Sequence, residues 1–331
     1  MRTTTSGQHL PSQDIEQRAG QDLGRRDRGL RAISLSTVIF TYCLVVLGST
    51  VRVTNSGMGC PGWPLCHGQI GPVDHFHALI EQSHRYLASI VTVLILCTAV
   101  VVHRSRSGCS VLRTTAFLAA ALIPVQILLG AITVWTHNAP VTVALHLLTA
   151  IALLGLVTSA ATAAFTGTPA KPAVERPRAG LVGMAAIALT FLLFVSGSLV
   201  VDGGASKSWP VWPVGSTGSA SIGLVALQIA HRSMALIAGA AIALLVLRAL
   251  RSWRDIPAAQ VLGWGLVGAF CAQVGVGALD ALMKAPEGLQ DLHLAIAGII
   301  WCAVVSLATL GHLATLGHGA AKPRTPLPAA L

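Results

Sequence analysis

Residues 81–102 read EQSHRYLASIVTVLILCTAVVV, and residues 228–249 read QIAHRSMALIAGAAIALLVLRA. Each stretch puts a His-Arg pair at one end of an apolar run long enough to cross the hydrocarbon core of a bilayer as a helix. In lipid every backbone N–H and C=O must be paired within the segment, so such a run is expected to be continuous helix. Eight runs of this kind occur, at about 31–51, 82–102, 114–135, 141–165, 180–201, 222–248, 258–282 and 290–313. The expected fold class is an all-α integral membrane protein.

The composition agrees. Of 331 residues, 53% are hydrophobic and only 10% charged, where a soluble domain carries about 25% charge. That excludes both a water-soluble fold and a disordered chain. The net charge of +10 would otherwise point to nucleic acid, but in a membrane protein the placement of basic residues carries the information. With the N-terminus cytoplasmic, 17 of the 22 Lys and Arg fall in the two tails and the inner loops. Both termini are therefore expected inside, with loops 1–2 and 5–6 outside. Residues 1–30 lack the apolar core of a signal peptide and read as a disordered cytoplasmic tail. Residues 314–331 read as a second tail.

The two quoted stretches also belong to a repeat. His84-Arg85 and His231-Arg232 are 147 residues apart, as are His146 and His293, Gln126 and Gln273, and Gly130 and Gly277. One offset across three helix pairs divides the chain into similar four-helix bundles, 31–165 and 180–313, joined by a Pro-punctuated linker at 166–179. An even number of spans per half relates the bundles by an axis along the membrane normal.

Each bundle thus carries one His on its second helix and one on its fourth, near the same end. A lone membrane histidine is usually a packing residue or a proton relay. Four in two matched pairs favour axial ligation of haem iron by neutral imidazole, one haem per bundle. Arg85 and Arg232 then fall where forked donors suit haem propionates, with snorkelling to headgroups as the alternative. Filling both axial positions leans toward electron transfer at the iron.

The halves differ in two places. Glu81 shares a helix face with His84 and Arg85, whereas its counterpart is Gln228. It is either a catalytic carboxylate or an ion-pair partner of Arg85. The first outer loop carries Cys60 and Cys66, while the matching loop has Trp209-Pro210-Val211-Trp212-Pro213 and no cysteine. A disulfide suits an oxidising compartment if geometry allows, as a staple or as a redox pair. Five intervening residues exclude the C-x-x-C redox motif and the C-x-x-C-H haem-attachment motif. Cys43, Cys97, Cys271 and Cys302 lie in spans and read as small apolar residues. On these residues alone a cytochrome b-type di-haem carrier, a transporter and a thiol oxidoreductase stay open.

Glu81-Gln-Ser-His84-Arg85, the loop VRVTNSGMGCPGWPLCHG at 51–68 and the four-plus-four repeat together resemble the bacterial haem A synthase family over about 30–313. The resemblance implies oxidation of the C8 methyl group of haem O to a formyl group, through a hydroxylated intermediate, to give haem A for terminal oxidases. It implies haem B held by His231 and His293, substrate haem O held by His84 and His146, and a requirement for Glu81. It implies the plasma membrane, and as partner the haem O synthase, a protohaem farnesyltransferase. Membrane lipid and a second copy of the chain are the other partners considered, and nucleic acid is not. Some members have a second cysteine pair before helix 6; this sequence has none, so no role for it carries over.

Overall fold

The computed structural model of the chain describes residues 11–70, 74–105, 108–166, 179–215 and 218–319, without the side chains of 11–26, 179 and 315–319. The expected linker, apart from its end residues, and the extreme tails at 1–10 and 320–331 lie outside the described residues. Eight helices follow in order: α1 (Pro11–Val53), α2 (Phe76–Arg104), α3 (Ser110–Trp135), α4 (Pro140–Thr166), α5 (Ala179–Asp202), α6 (Ile222–Ser252), α7 (Pro257–Leu282) and α8 (Glu287–Gly319). All eight are long and apolar enough to cross a membrane.

Three boundaries differ from the sequence expectation. Helix α1 begins at Pro11, so residues 11–30, expected as irregular tail, continue the first span as helix. Proline suits the first helical position, and the Gln, Glu, Arg, Ala and Leu that follow are good helix formers despite their polarity. Helix α2 begins at Phe76 rather than 82, which puts Glu81 inside the helix. Helix α8 runs on to Gly319, past the expected end of its span.

The helices form two closed rings. In the first, α1 packs on α2, α2 on α3, α3 on α4, and α4 returns to α1; α5 to α8 repeat this order. Helix α2 is thus diagonal to α4, and α6 to α8. The rings meet along α4 and α8, with α1 against α8 and α4 against α5. The shared core of Val45, Ile151, Leu154, Phe194, Trp301 and Val305 draws on both rings.

This seam is held by close approach and by hydrogen bonds that lipid cannot compete for. Trp301 Nε1 donates to the Ile151 carbonyl at 2.9 Å, and Gly155 makes room for its ring, since a Cβ there would lie 3.0 Å from it. Tyr42 donates its hydroxyl to the Ala295 carbonyl at 3.1 Å over Gly298. Ser159 pairs with Thr309 at 3.0 Å and Thr162 with Ser306 at 3.1 Å. Arg52 of α1 forms an ion pair with Asp202 of α5.

Away from the seam the helices expose large apolar side chains, among them Leu181, Leu236, Val261 and Trp264, each 65% or more accessible. On a soluble protein such a surface would aggregate; around a helix bundle it meets lipid. The chain is a multi-pass membrane protein built as two four-helix bundles. One face carries the α1–α2 and α5–α6 loops and is called the disulfide face below. The opposite one is the terminal face.

Candidate functional site

Each of the four helix histidines rests against a glycine of a neighbouring helix in its own ring. A Cβ on Gly48 of α1 would stand 3.1 Å from Cε1 of His84, and one on Gly130 of α3 3.1 Å from that of His146. In the second ring the same test gives 3.2 Å between Gly197 and His231, and 2.8 Å between Gly277 and His293. Four glycines at four ring edges are what a bulky imidazole needs if the helices are to stay in contact around it.

Each histidine pair sits on diagonal helices of its ring, near the same end of the bundle. Gln126 Nε2 lies 3.5 Å from His146 Nε2, and Gln273 Nε2 lies 3.2 Å from His293 Nε2. Ser196 holds Nδ1 of His231 at 2.9 Å. Nδ1 of His84, His146 and His293 is buried with no hydrogen-bond partner. These three nitrogens lie against the seat glycines, 3.4–3.7 Å from where a Cβ would stand, so their isolation belongs to the tight helix contact.

Among the described residues, no group of three or more His, Cys, Asp or Glu could hold a metal ion. Two imidazoles in a ring are too few for a bare ion, which takes about four protein ligands in a closed site. They suit an iron whose other four ligands come from a porphyrin. The donor set therefore fits a haem in each ring.

Above each pair, toward the disulfide face, the rings differ in chemistry but not in plan. Cys60 and Cys66 form a disulfide with Cα atoms 4.6 Å apart, and both side chains are fully buried. Glu81, 4% accessible, accepts the Cys60 N–H at Oε2 (2.7 Å) and pairs through Oε1 with Arg85 Nη2 at 2.5 Å. Arg85 also donates to the carbonyls of Cys60 (2.9 Å) and Gly62 (2.8 Å). Gly59 lets this loop lie on the start of α2, since a Cβ there would be 2.5 Å from the backbone of His77 and Ala78.

In the second ring Gln228 donates to the Ala205 carbonyl at 2.6 Å and accepts from Arg232 at 2.5 Å. Arg232 donates to the Pro213 carbonyl at 2.7 Å and stacks on Trp209 and Trp212, 4.8 and 5.3 Å from the ring centres. Both arginines, expected from sequence to face propionates, are thus engaged with loop backbone one residue after each histidine.

The sequence reading missed Gly48, Gly197 and Ser196. It also missed the seam pairs Arg52–Asp202 and Thr50–Asp291, the latter at 3.0 Å and two residues before His293. The outer-loop histidines form no cluster among the described residues: His67 bonds the Gly59 carbonyl at 3.0 Å and His77 the Ser56 hydroxyl at 2.9 Å.

The chain is similar to several curated proteins. It is 28% identical to the heme A synthase of Macrococcus caseolyticus, over 81% of this chain and 92% of that one. It is 36% identical to the heme A synthase of Bacillus pumilus over 121 residues, 35% of this chain and 39% of that one. It is 29% identical to the protoheme IX farnesyltransferase of Thermus thermophilus, over 85% of this chain and 48% of that one. The chain therefore spans less than half the length of the Bacillus and Thermus relatives. A family model described as cytochrome oxidase assembly protein matches residues 31–305. With most of its length matched by that model, the chain belongs to the cytochrome oxidase assembly protein family.

Proposed function

We propose that this protein is a haem A synthase, which oxidises the C8 methyl group of haem O to a formyl group. The observation that carries the reading is the pair of glycine-seated histidine pairs in one register, topped in one ring alone by an acid and a disulfide. The synthases among its relatives support it. A di-haem electron carrier would give no reason for Glu81 and Cys60–Cys66 to stand where the second ring has Gln228 and Trp209.

In this reading His84 and His146 hold the substrate haem O from its two faces, and His231 and His293 hold a resident haem B. Bound there, haem B would supply one-electron redox chemistry. His84 and His146 would fix the position of the substrate between α2 and α4, which leaves its ring edge as the part open to oxidation. Arg85 and Arg232, at the disulfide-face mouth of each ring, are placed to add propionates to their loop contacts. Glu81 is the one carboxylate beside the substrate pair on its helix face. It stabilises positive charge that develops on the oxidised ring and takes up the protons released from the methyl carbon. Water supplies the oxygen and an external acceptor takes the electrons; label entering the formyl group from oxygen gas and not from water would overturn this.

The placement of basic residues supports a cytoplasmic terminal face in the plasma membrane, with the disulfide outside. The partner is the enzyme that makes haem O. A stretch like this chain makes up about half of the longer Thermus protein named for that farnesyl transfer, which supports a working pair.

The test is haem extraction from the purified protein after expression in cells that supply haem O. Haem A or a hydroxylated haem O beside haem B is expected. Haem O left unaltered, with haem B present, would sink the proposal.

A further inference from the structure

The two rings differ again about three to four helical turns below the histidines, toward the terminal face. The first ring holds a small cavity there, lined by Ser34, Thr37, Thr98, Ala116, Ala119 and Ala160 among others. Its level follows from the sequence. Thr98 is 14 residues after His84, Ala119 is 11 before Gly130, and Ala160 is 14 after His146. At 1.5 Å per residue that is roughly 16–21 Å.

The repeat shows what the second ring does at the same level. Thr98, Ala119 and Ala160 correspond, at the 147-residue offset, to Leu245, Leu266 and Leu307. All three leucines are at most 1% accessible and belong to one packed core. Three positions run the other way: Ser34 and Thr37 match Gly183 and Ala186, 149 residues on, and Ala116 matches Gly263 at 147. These do not open the second ring: a Cβ on Gly183 would stand 3.0 Å from that of Ala308, and one on Gly263 3.1 Å from the Leu250 side chain. One ring carries leucine where its twin carries Thr98, Ala119 and Ala160, which are buried too but leave a small gap between them.

We propose that this cavity is the slot for the isoprenoid tail of the substrate haem, and that Thr98, Ala119 and Ala160 are the residues that admit it. The inference rests on the synthase reading above. A tail of farnesyl length added to the half-width of a porphyrin bridges the drop from histidines to slot. The resident haem B has no such tail, and its ring has no such slot. Water is the rival occupant, but a buried water needs two to four polar partners. Thr37 and Thr98 lie 2.9 Å from each other and each 2.8 Å from a carbonyl of its own helix, so each hydroxyl proton has an acceptor within the protein, and the buried Ser34 Oγ is the unpartnered group. As it stands the cavity has room for about one water-sized group, so the tail widens it. The α2–α3 contact, among the sparsest in the first ring, is where it can yield.

The test uses the full chain carrying Ala119→Leu and Ala160→Leu, which copy the second ring. Haem O and tail-less protohaem are each titrated into the protein, and conversion of haem O is followed. The expected result is a loss of at least about tenfold in haem O affinity, as overpacking of a filled site predicts. Protohaem affinity and resident haem content stay at wild-type values. Unchanged haem O binding and turnover would overturn the slot, and so would an equal loss for both haems. A second variant guards against misfolding: Ala160→Val adds less bulk at the same level and is read by the same two titrations. A smaller loss of haem O affinity with protohaem affinity unchanged supports the slot. No loss for haem O, the outcome for a slot that holds only water, or an equal loss for both haems, overturns it. Wild-type protein that leaves haem O unaltered sinks the synthase reading itself; active wild type with an equally active double-leucine variant sinks only the slot.

Discussion

The mouths of the two rings solve one mechanical problem with different chemistry. In both, an arginine just after the histidine reaches loop carbonyls and is steadied by the residue four positions earlier on its helix. In the second ring that residue is Gln228, neutral, and its amide also ties down the Ala205 carbonyl. In the first it is Glu81, which receives the Cys60 N–H. Gln228 can be neutral because its loop offers a carbonyl to the amide N–H and one donor, Arg232, to its oxygen. The first loop offers two donors, the Cys60 N–H and Arg85, and both oxygens of Glu81 are used. A buried carboxylate near a membrane interface is costly to keep, and only the first ring keeps one beside its histidine.

On the proposed synthase reading, the hardest break of the comparison is removal of a histidine that would hold a haem. His231→Ala or His293→Ala should lose most of the resident haem B, read as haem per protein. His84→Ala or His146→Ala should keep it while haem A formation becomes undetectable. Glu81→Gln, which gives the first ring the residue of the second, sharpens it next. Conversion should fall at least about 100-fold, in the range of a lost acid–base group. The Cys60–Cys66 disulfide should stay intact by thiol titration, and normal haem A yield would remove the carboxylate from the mechanism. The reverse exchange, Gln228→Glu, sets a carboxylate oxygen against the Ala205 carbonyl that the amide had held, and should loosen the second ring's loop, read as faster proteolysis there, without raising haem A formation.

Smaller effects follow from the glycine seats and the disulfide. Gly277→Ala places a Cβ 2.8 Å from His293, closer than real contacts allow, and should lower resident haem content several-fold. Gly197→Ala, at 3.2 Å from His231, should lower it less. Cys66→Ser should speed proteolysis of the first loop and lower activity about tenfold, since closing a short loop contributes roughly 2–3 kcal/mol. The second ring's haem should be untouched.

Most of the frame was legible before any coordinates. Hydropathy alone counts the spans, because lipid enforces continuous helix, and the 147-residue offset pairs the histidines because equal helices must present them at equal depth. Gly48 and Gly197 escaped because they are 149 residues apart. The first ring's loop is two residues longer than the second's, so a single offset slides past helices α1 and α5. The polar N-terminal stretch was misread because hydropathy reports lipid contact and not helix formation. The arginines were legible as paired but not as loop anchors. Their partners are backbone carbonyls, which every residue has and no sequence pattern advertises. The disulfide was the reverse case: two cysteines on one loop suggested it, and the 4.6 Å Cα separation supplies the geometry.

Helix α8 touches α1, α4, α5, α6 and α7, and it is made after all of them. Its Trp301 and Thr309 close bonds to residues made some 150 positions earlier. The first bundle, though made early, therefore waits with an open flank until α8 joins it. Chains stopped before α8 should be prey for membrane quality control rather than half-assembled survivors. Insertion of α8 thus serves as a checkpoint on the first bundle.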